Sequence, residues 1–273
     1  RWRAALLPER GQRRLSGAHR PSAGALAKLT SADNVVVFAA GSLRAPVRDV
    51  ARAFEQQSGR RVVSTFGASG LLRDRIGSGE AADVFASANM EHPRGLAAFG
   101  WTSGVQRFAR NSMCVIAAPW LDVTSENVLA VLLDPGVSVG TSTPESDPCG
   151  DYAWEVFRKA EAIQAGAFAT LTAKARKLVG GPQSPQPPDR NVYAMLVAEA
   201  GVDVFVTYRT NAALARQERP ALKAITLPPP LAVGADYGLA VCRDASLAAR
   251  EFAAFVLAKE GQRVLASYGF DPP

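Results

Sequence analysis

Two serines stand where the chain can present hydrogen-bond donors to a small anion. Ser42 follows the apolar stretch "VVVFAAG", and Ser69 follows "STFGA". Gly41 precedes Ser42 and Gly70 follows Ser69, so a ligand can approach the main chain closely at both turns. A serine in such a turn offers a hydroxyl and an amide N–H, both of them neutral donors. These turns therefore predict an anion site that needs no charged side chain.

A third candidate turn lies in "SDPCGDYAWE". Asp147 suits the cap of a helix and Pro148 suits its first position. The amides of Cys149 and Gly150 are then expected to be free for an anion. No histidine stands near Cys149 in sequence, so its thiol is not expected to be a nucleophile. An ordinary capped helix is the alternative interpretation at this turn and at both serine turns.

The elements that must position these turns alternate between strand and helix. The order strand, helix, strand, helix, strand predicts a parallel sheet. Because neighbouring parallel strands end at the same edge of a sheet, Ser42 and Ser69 are expected to meet there, beside helix N-termini that favour anions. The predicted elements of this first part are strands at 35–38, 62–66 and 83–87 and helices at 43–57 and 70–77.

The rest of the chain repeats the mixture of strands and helices and predicts an α/β fold in two lobes. One lobe comprises 34–118 plus 228–273, and the other comprises 119–227. Strands that cross between the lobes would leave a cleft for a ligand. The further predicted elements are strands at 111–118, 137–142, 202–208 and 235–242 and helices at 149–164, 168–181, 191–200 and 246–266.

Composition excludes several classes of protein. The formal charge is +6, but the first 32 residues carry seven basic residues against Glu9 alone, so the remaining chain is neutral. A nucleic-acid partner is therefore not expected, with a basic arm as the minor alternative. The tail 1–33 lacks the apolar core of a secretory signal and is predicted to be disordered. No apolar run reaches the roughly 18 residues of a membrane-spanning helix.

Catalytic alternatives are few in this sequence. The histidines are His19 in the tail and His92, which is expected at an exposed helix start. A serine hydrolase would have to use His92 as the base for Ser42 or Ser69. No Walker motif, nucleophile elbow or His/Cys metal spacing is present, so no catalytic residue, metal centre or cofactor is predicted.

The three cysteines do not suggest a disulfide framework. Cys114 and Cys242 fall in predicted strands and are expected as core thiols, with a bridge between them as a minor possibility.

Five segments stand out along roughly 35–270, and they read "VFAAGSL", "FGASGLL", "GEAADVFASAN", "DPCGDYAWE" and "VFVTYRTNA". In their order and spacing they resemble the periplasmic molybdate-binding proteins, the substrate-binding subunits of molybdate ABC transporters. The resemblance implies the two-lobed type II periplasmic-binding-protein fold, with a mostly parallel sheet flanked by helices in each lobe. It also implies a monomer in the periplasm that carries molybdate or tungstate to a membrane permease and is not an enzyme.

The resemblance also implies which residues hold the oxyanion. The side-chain donors are Ser42, Ser69 and Tyr208, and one backbone donor is the amide of Cys149. A second backbone amide falls at Arg190, Asn191 or Val192, of which Asn191 is preferred. Sulfate, thiosulfate or phosphate is the alternative ligand.

Two further expectations concern charge around the ligand. An archaeal branch of the family uses an Asp-Pro carboxylate and a glutamate before the tyrosine as direct ligands. Thr207 replaces that glutamate here, so Asp147 is expected to cap its helix and not to coordinate the ligand. The arginines nearest to the three side-chain donors in sequence, Arg44, Arg73 and Arg209, are expected to point away from the ligand.

Overall fold

The alternation of apolar segments and helical patterns folds into one mixed sheet with helices packed on it. The computed structural model describes residues 34–184, 190–199 and 201–273, so the predicted tail 1–33 lies outside the described residues. The strands are β1 (Asn34–Ala40), β2 (Arg61–Gly67), β3 (Val84–Ser87), β4 (Thr102–Ala117), β5 (Val139–Ser142), β6 (Arg176–Val179), β7 (Val204–Tyr208), β8 (Lys223–Thr226) and β9 (Gly234–Cys242).

The helices follow the strands closely along the chain. They are α1 (Arg44–Ser58), α2 (Ser69–Gly77), α3 (Glu91–Ala98), α4 (Val128–Leu133), α5 (Pro148–Ile163), α6 (Ala167–Lys174), α7 (Val192–Ala198), α8 (Arg209–Glu218), α9 (Leu247–Leu257) and α10 (Lys259–Ser267). Short 3-10 turns occupy Gly41–Leu43 and Pro229–Leu231.

The sheet is parallel at its two sides and antiparallel in its middle. Its order is β2-β1-β3-β9-β4-β7-β5-β6, and β8 also pairs with β4. Parallel pairing joins β1 to β2 and β3, and joins β5 to β6 and β7. The predicted parallel order is therefore correct at both sides. It is wrong for β4 and β9, which run antiparallel to their neighbours and so need no crossover helix between them.

Strand β4 is twice as long as predicted and ties the two sides of the sheet together. Its residues up to Ser112 pair with β9, and those from Met113 pair with β7 and β8. The first half was not predicted from sequence because it is rich in exposed polar residues and so lacks the alternation of apolar and polar residues that marks a strand. The assignment of 34–118 plus 228–273 and of 119–227 to separate lobes stays a prediction.

Two predicted helices differ from the observed elements. The segment 168–181 ends its helix at Lys174 and continues as β6, because "RKLV" completes the edge of the sheet beside β5. The segment 246–266 is two helices, interrupted at Ala258, where the backbone is extended (ψ 164°). A Cβ at Gly261 would lie 2.3 Å from the carbonyl oxygen of Phe255, so α10 begins against the end of α9 in a way only glycine permits.

The core lies on both faces of the sheet. Val37 of β1 and Val204 of β7 belong to one hydrophobic cluster, whereas the adjacent Phe38 and Phe205 belong to clusters on the opposite face. The three cysteines are buried free thiols, so the core-thiol prediction for Cys114 and Cys242 is confirmed and the possible bridge between them is wrong. Among the helices in the described ranges, none combines the length and apolar character that crossing a membrane would require.

Candidate functional site

The two serine turns lie side by side at the edge of the sheet, as predicted. β1 and β2 are adjacent and parallel, and their last residues, Ala40 and Gly67, form a register pair. Ser42 and Ser69 each stand two residues beyond that pair. The alternation of strands and helices in the sequence was sufficient to place these turns together.

Neither serine side chain caps a helix, so the capping interpretation of the two turns is wrong. Ser42 lies in the 3-10 turn that precedes α1, which agrees with the irregular first turn that Pro46 favours. Its hydroxyl is 3.0 Å from the hydroxyl of Tyr237, 195 residues further along the chain. Ser42 is thus oriented by a tyrosine of β9.

Ser69 is the first residue of α2 and is fully buried. Its hydroxyl accepts a hydrogen bond from the amide of Ala88 at 3.1 Å, while the cap position belongs to Ala68. The next amide, that of Gly70, donates to the carbonyl of Ser146 at 2.9 Å. The start of α2 is therefore joined directly to the turn that leads into α5.

A cavity of about 410 Å³ opens at this edge of the sheet. That volume falls within the range of small-ligand sites. Four of the five predicted ligand residues line it: Ser42, Cys149, Asn191 and Tyr208. Ser69 does not line it, although Gly67 and Ala68 beside it do. The sequence prediction thus brings four residues to one cavity and leaves the fifth directly behind its wall.

Tyr208 contributes a donor that no group of the described residues satisfies. The residue is 1 % exposed, and its hydroxyl has no hydrogen-bond partner there. Burial raises the pKa of Tyr208 well above its ordinary value, so the phenol keeps its proton. Its ring packs near those of Tyr152 and Tyr237, at centroid distances of 6.2 and 5.7 Å. A buried unpaired hydroxyl is costly, so a ligand oxygen here would remove a penalty that the folded chain already carries.

The turn before α5 confirms one prediction and overturns another. Asp147 caps the helix, as expected, and Pro148 occupies its first position. However, the Asp147 carboxylate accepts a hydrogen bond from the amide of Cys149 at 3.1 Å, and the Asp147 carbonyl accepts one from Gly150 at 2.8 Å. The predicted free amides are thus already paired, because the cap itself is the nearest acceptor. Burial raises the pKa of Asp147 to about 6.

The preferred second backbone donor is also paired within the chain. The amide of Asn191 donates to the carboxylate of Glu218 at 2.6 Å, and the Asn191 side chain caps α7 by accepting from Ala194 at 3.0 Å. Arg190 and Val192, the other two positions considered, line the cavity as well. The segment named from sequence spacing thus lies at the cavity, its role as a backbone donor stays a prediction, and the carboxylate that reaches it from α8 was not foreseen.

The three arginines of the sequence prediction separate into two groups. Arg73 contacts Nδ1 of His92 at 3.1 Å, and Arg209 pairs with Asp271 at 2.8 Å; neither lines the cavity. Arg44 does line it, with its guanidinium 5.0 Å from the ring of Phe66. Whether Arg44 contacts the ligand therefore stays a prediction, although its place on the cavity wall was not expected.

Asn211 lines the cavity and was not found from sequence, whereas Arg190 was considered there only for its backbone amide and not for its side chain. Arg190 is held by ion pairs with Glu199 and Glu218, and Asn211 donates to Thr207 at 2.9 Å. Tyr237 does not line the cavity but contacts the Ser42 hydroxyl, and it was also missed, because nothing in the strand "ADYGLAVC" distinguishes such a tyrosine from a core tyrosine.

The structure does not bring His92 together with Ser42 or Ser69 in the arrangement that a serine hydrolase requires. His92 is buried, 7 % exposed, instead of standing at an exposed helix start. Its Nδ1 faces Arg73, and its amide donates to the Asn89 side chain at 3.1 Å. The Ser42 and Ser69 hydroxyls pair with Tyr237 and Ala88, so neither is activated by this histidine. In the three described ranges, no group of three metal-binding side chains is gathered either.

Replacing His92 by glutamine will reduce the loss of stability at mildly acidic pH. Burial, reinforced by the charge of Arg73, lowers the pKa of His92 to about 4. As the pH falls, His92 therefore becomes protonated in the unfolded chain at a higher pH than in the folded chain. The stability that the neutral His92 contributes is complete above about pH 6.5 and is lost as the pH falls towards about 4. Between these limits, the free energy of unfolding should fall by roughly 1–3 kcal/mol more in the unmodified protein than in His92→Gln.

Urea unfolding at a series of pH values measures this difference. His19→Gln is the matched control, since it removes the other histidine of the chain. An identical pH dependence for the unmodified protein and His92→Gln would contradict the expectation.

A family model for bacterial extracellular solute-binding proteins matches residues 35–271. An uncharacterised protein of Pasteurella multocida is 36% identical over 238 residues, which cover 86% of this chain and 98% of that protein. The molybdate-binding protein ModA of Mycobacterium tuberculosis is 27% identical over 263 residues, 94% of this chain and 92% of that protein.

Solved structures agree with the sequence comparisons. The sulfate-binding protein SubI of Mycobacterium tuberculosis has a TM-score of 0.70 at 20% identity, over 88% of this chain and 86% of that chain. The predicted type II periplasmic-binding-protein fold is thereby confirmed. A family match that spans almost all described residues, together with a relative above 30% identity over nearly its full length, identifies this chain as a member of the bacterial extracellular solute-binding protein family.

Proposed function

We propose that this chain binds a tetrahedral oxyanion, molybdate or tungstate, in the cavity beside Ser42 and Tyr208 and delivers it to a membrane permease of the ABC type. The role is transport in the periplasm and involves no catalysis. The observation that carries the proposal is that Tyr208 lines the cavity and that its buried hydroxyl lacks a partner among the described residues. The ModA relative, named for molybdate, supports the choice of ligand.

The donors around the cavity suit an oxyanion of this kind. The hydroxyls of Ser42 and Tyr208 are neutral, and Arg44 and Arg190 add positive charge on the same wall. A hydrogen bond to a charged group contributes roughly 1.5–3 kcal/mol. Four or five such bonds, after the costs of association, correspond to affinities from about micromolar to nanomolar.

The amides of Cys149 and Asn191 can take part only if the chain rearranges. Both are held by carboxylates, those of Asp147 and Glu218 respectively. An oxyanion oxygen at either amide would have to replace a carboxylate oxygen of similar charge and hydrogen-bonding character. Such an exchange keeps one hydrogen bond at each amide and requires only that the Asp147 or Glu218 side chain moves away.

Calorimetric titration with molybdate, tungstate, sulfate and phosphate tests the proposed function. Saturable heat with molybdate or tungstate, and a weaker response to sulfate, is the expected result. Sulfate is the second candidate, because the SubI neighbour is named for it. Absence of heat and of any thermal stabilisation with all four anions would refute the oxyanion function.

Replacing Ser42 by alanine will weaken oxyanion binding about tenfold to a hundredfold, the equivalent of one hydrogen bond to a charged group. The hydroxyl is positioned for this role by Tyr237 at 3.0 Å. Ser58→Ala is the matched control, because the Ser58 hydroxyl bonds the Phe54 carbonyl at the far end of α1 and does not line the cavity. Equal dissociation constants for the two variants would show that the Ser42 hydroxyl does not bind the oxyanion.

A further inference from the structure

Asp147 lines the cavity in which we place the oxyanion, and its carboxyl group lies beside Gly180, another lining residue. Its hydrogen bond with the Cys149 amide holds it from one side. From another side it is packed against Gly180, where an added Cβ would lie 2.4 Å from the Asp147 Cβ and 2.5 Å from its Oδ2. Gly180 has a positive φ of 79°. The carboxyl is therefore closely enclosed at the cavity surface and cannot swing into the Gly180 turn.

The ionisable groups that face Asp147 are mostly neutral. They come from four elements, and burial raises the pKa of four of them, so that these keep their protons: Cys149 of α5, Tyr193 of α7, Tyr208 of β7 and Tyr237 of β9. The charged neighbour is Asp151, one turn further along α5, while Arg44 and Arg190 line the same cavity.

A carboxylate on the wall of an anion cavity creates an electrostatic conflict. A dianion and an ionised Asp147 would repel each other strongly in a site that is largely screened from water. Two acidic oxygens that approach closely in such a site resolve the conflict by sharing one proton. The same proton lets a carboxyl group donate a hydrogen bond to an oxyanion oxygen, which an ionised carboxylate cannot do.

We propose that the oxyanion enters this cavity together with one proton, which is held between the Asp147 carboxyl and an oxyanion oxygen. The inference rests on the proposed function. A fully ionised anion such as molybdate or sulfate takes this proton from the solvent, so the complex contains the protein, the dianion and one added proton. An anion that already bears an O–H, such as hydrogen phosphate, brings the proton with it. No covalent bond of the ligand is made or broken.

The environment of Asp147 is consistent with this assignment. Burial raises the pKa of the carboxyl to about 6, so protonation requires little free energy near neutral pH. A dianion held nearby would raise that pKa further. Asp147 thereby acts as a specificity residue, because it disfavours fully ionised anions increasingly as the pH rises.

Calorimetry of molybdate binding in two buffers of different ionisation enthalpy counts the protons directly. At about pH 7.5 we expect uptake of about one proton by the unmodified protein, and a dissociation constant that rises about tenfold per pH unit above about pH 6. In Asp147→Asn we expect no uptake and an affinity independent of pH. Asparagine caps helices as well as aspartate and can still accept from the Cys149 amide, so the fold is kept.

Asp151→Asn is the matched control, since it removes a carboxylate of the same helix that bonds the Glu145 amide and does not line the cavity. It should retain the proton uptake of the unmodified protein. Sulfate should behave like molybdate, whereas phosphate should bind with much less proton uptake.

Three results would overturn the proposal. Molybdate binding by the unmodified protein without proton uptake and without pH dependence would refute it and leave the oxyanion function intact. Loss of binding at every pH in a folded Asp147→Asn would make the carboxylate a direct ligand instead. If the unmodified protein binds none of the three anions even at about pH 5.5, where the carboxyl is largely protonated, the proposed function fails and this inference fails with it.

Discussion

Replacing Tyr208 by phenylalanine will stabilise the ligand-free protein and weaken its binding of the oxyanion. The hydroxyl is buried and has no partner within the described residues, so its removal relieves a desolvation penalty of roughly 1 kcal/mol or more. The ring remains and keeps its packing against Tyr152 and Tyr237. In the complex the same hydroxyl donates to a charged oxygen, so its loss should cost about tenfold to a hundredfold in affinity.

Opposite changes in stability and affinity distinguish a ligand donor from a structural hydroxyl. Urea unfolding without ligand and calorimetric titration with molybdate measure the two quantities. Tyr237→Phe is the informative comparison, because the Tyr237 hydroxyl bonds Ser42 and Asn111 at 3.0 and 3.4 Å and its loss should destabilise the protein by about 1 kcal/mol. If Tyr208→Phe binds molybdate as tightly as the unmodified protein, Tyr208 is not a ligand.

Replacing Gly70 by alanine will damage both the fold and the cavity. A Cβ at Gly70 would lie 2.6 Å from the carbonyl oxygen of Glu145 and 2.7 Å from that of Ser146. Both neighbours are backbone atoms, which cannot turn aside as a flexible side chain can. The methyl group would also lengthen the 2.9 Å hydrogen bond from the Gly70 amide to Ser146. We expect a loss of roughly 1–3 kcal/mol in the free energy of unfolding.

The same substitution will weaken oxyanion binding well beyond its effect on stability. Ser146 leads directly to Asp147 and Cys149 on the cavity wall, so a displaced turn carries these residues away from Ser42. Gly95→Ala is the control, since a Cβ there would contact nothing within 4 Å and the change favours helix α3 by about 0.5–1 kcal/mol. Unfolding and titration curves of Gly70→Ala that match those of the unmodified protein would show that the two turns do not depend on this close contact.

Most of the fold could be predicted because its signals are local. Apolar runs of four to seven residues became β1, β2, β3 and β7, and helical periodicity predicted α1, α2 and α5 to within about two residues. The errors arose where tertiary contacts override the local pattern. The first half of β4 is polar and forms a strand only because β9 lies beside it, and "RKLV" becomes β6 because β5 offers it an edge.

The candidate site likewise contains features that local sequence predicts and features that depend on tertiary contacts. The serine turns, the Asp-Pro helix start and the tyrosine that ends β7 are marked by residue type and by their place after a predicted strand. The two serine turns meet because β1 and β2 pair in parallel, whereas the antiparallel strands β4 and β9 join them to the side of the sheet that carries Tyr208. What could not be predicted is the hydrogen-bond partner of each donor.

The sequence by itself determined that neutral donors collect at one edge of an α/β sheet, because small residues, caps and strand ends are encoded within a few neighbouring positions. Only the tertiary structure decided which donors are already paired. Glu218 reaches the Asn191 amide from 27 residues away, and Tyr237 reaches Ser42 from 195 residues away. Such partners are set by the packing of distant elements, which no local pattern records. The Tyr208 hydroxyl finds no partner among the described residues, and only the folded chain shows this feature, on which the proposed site rests.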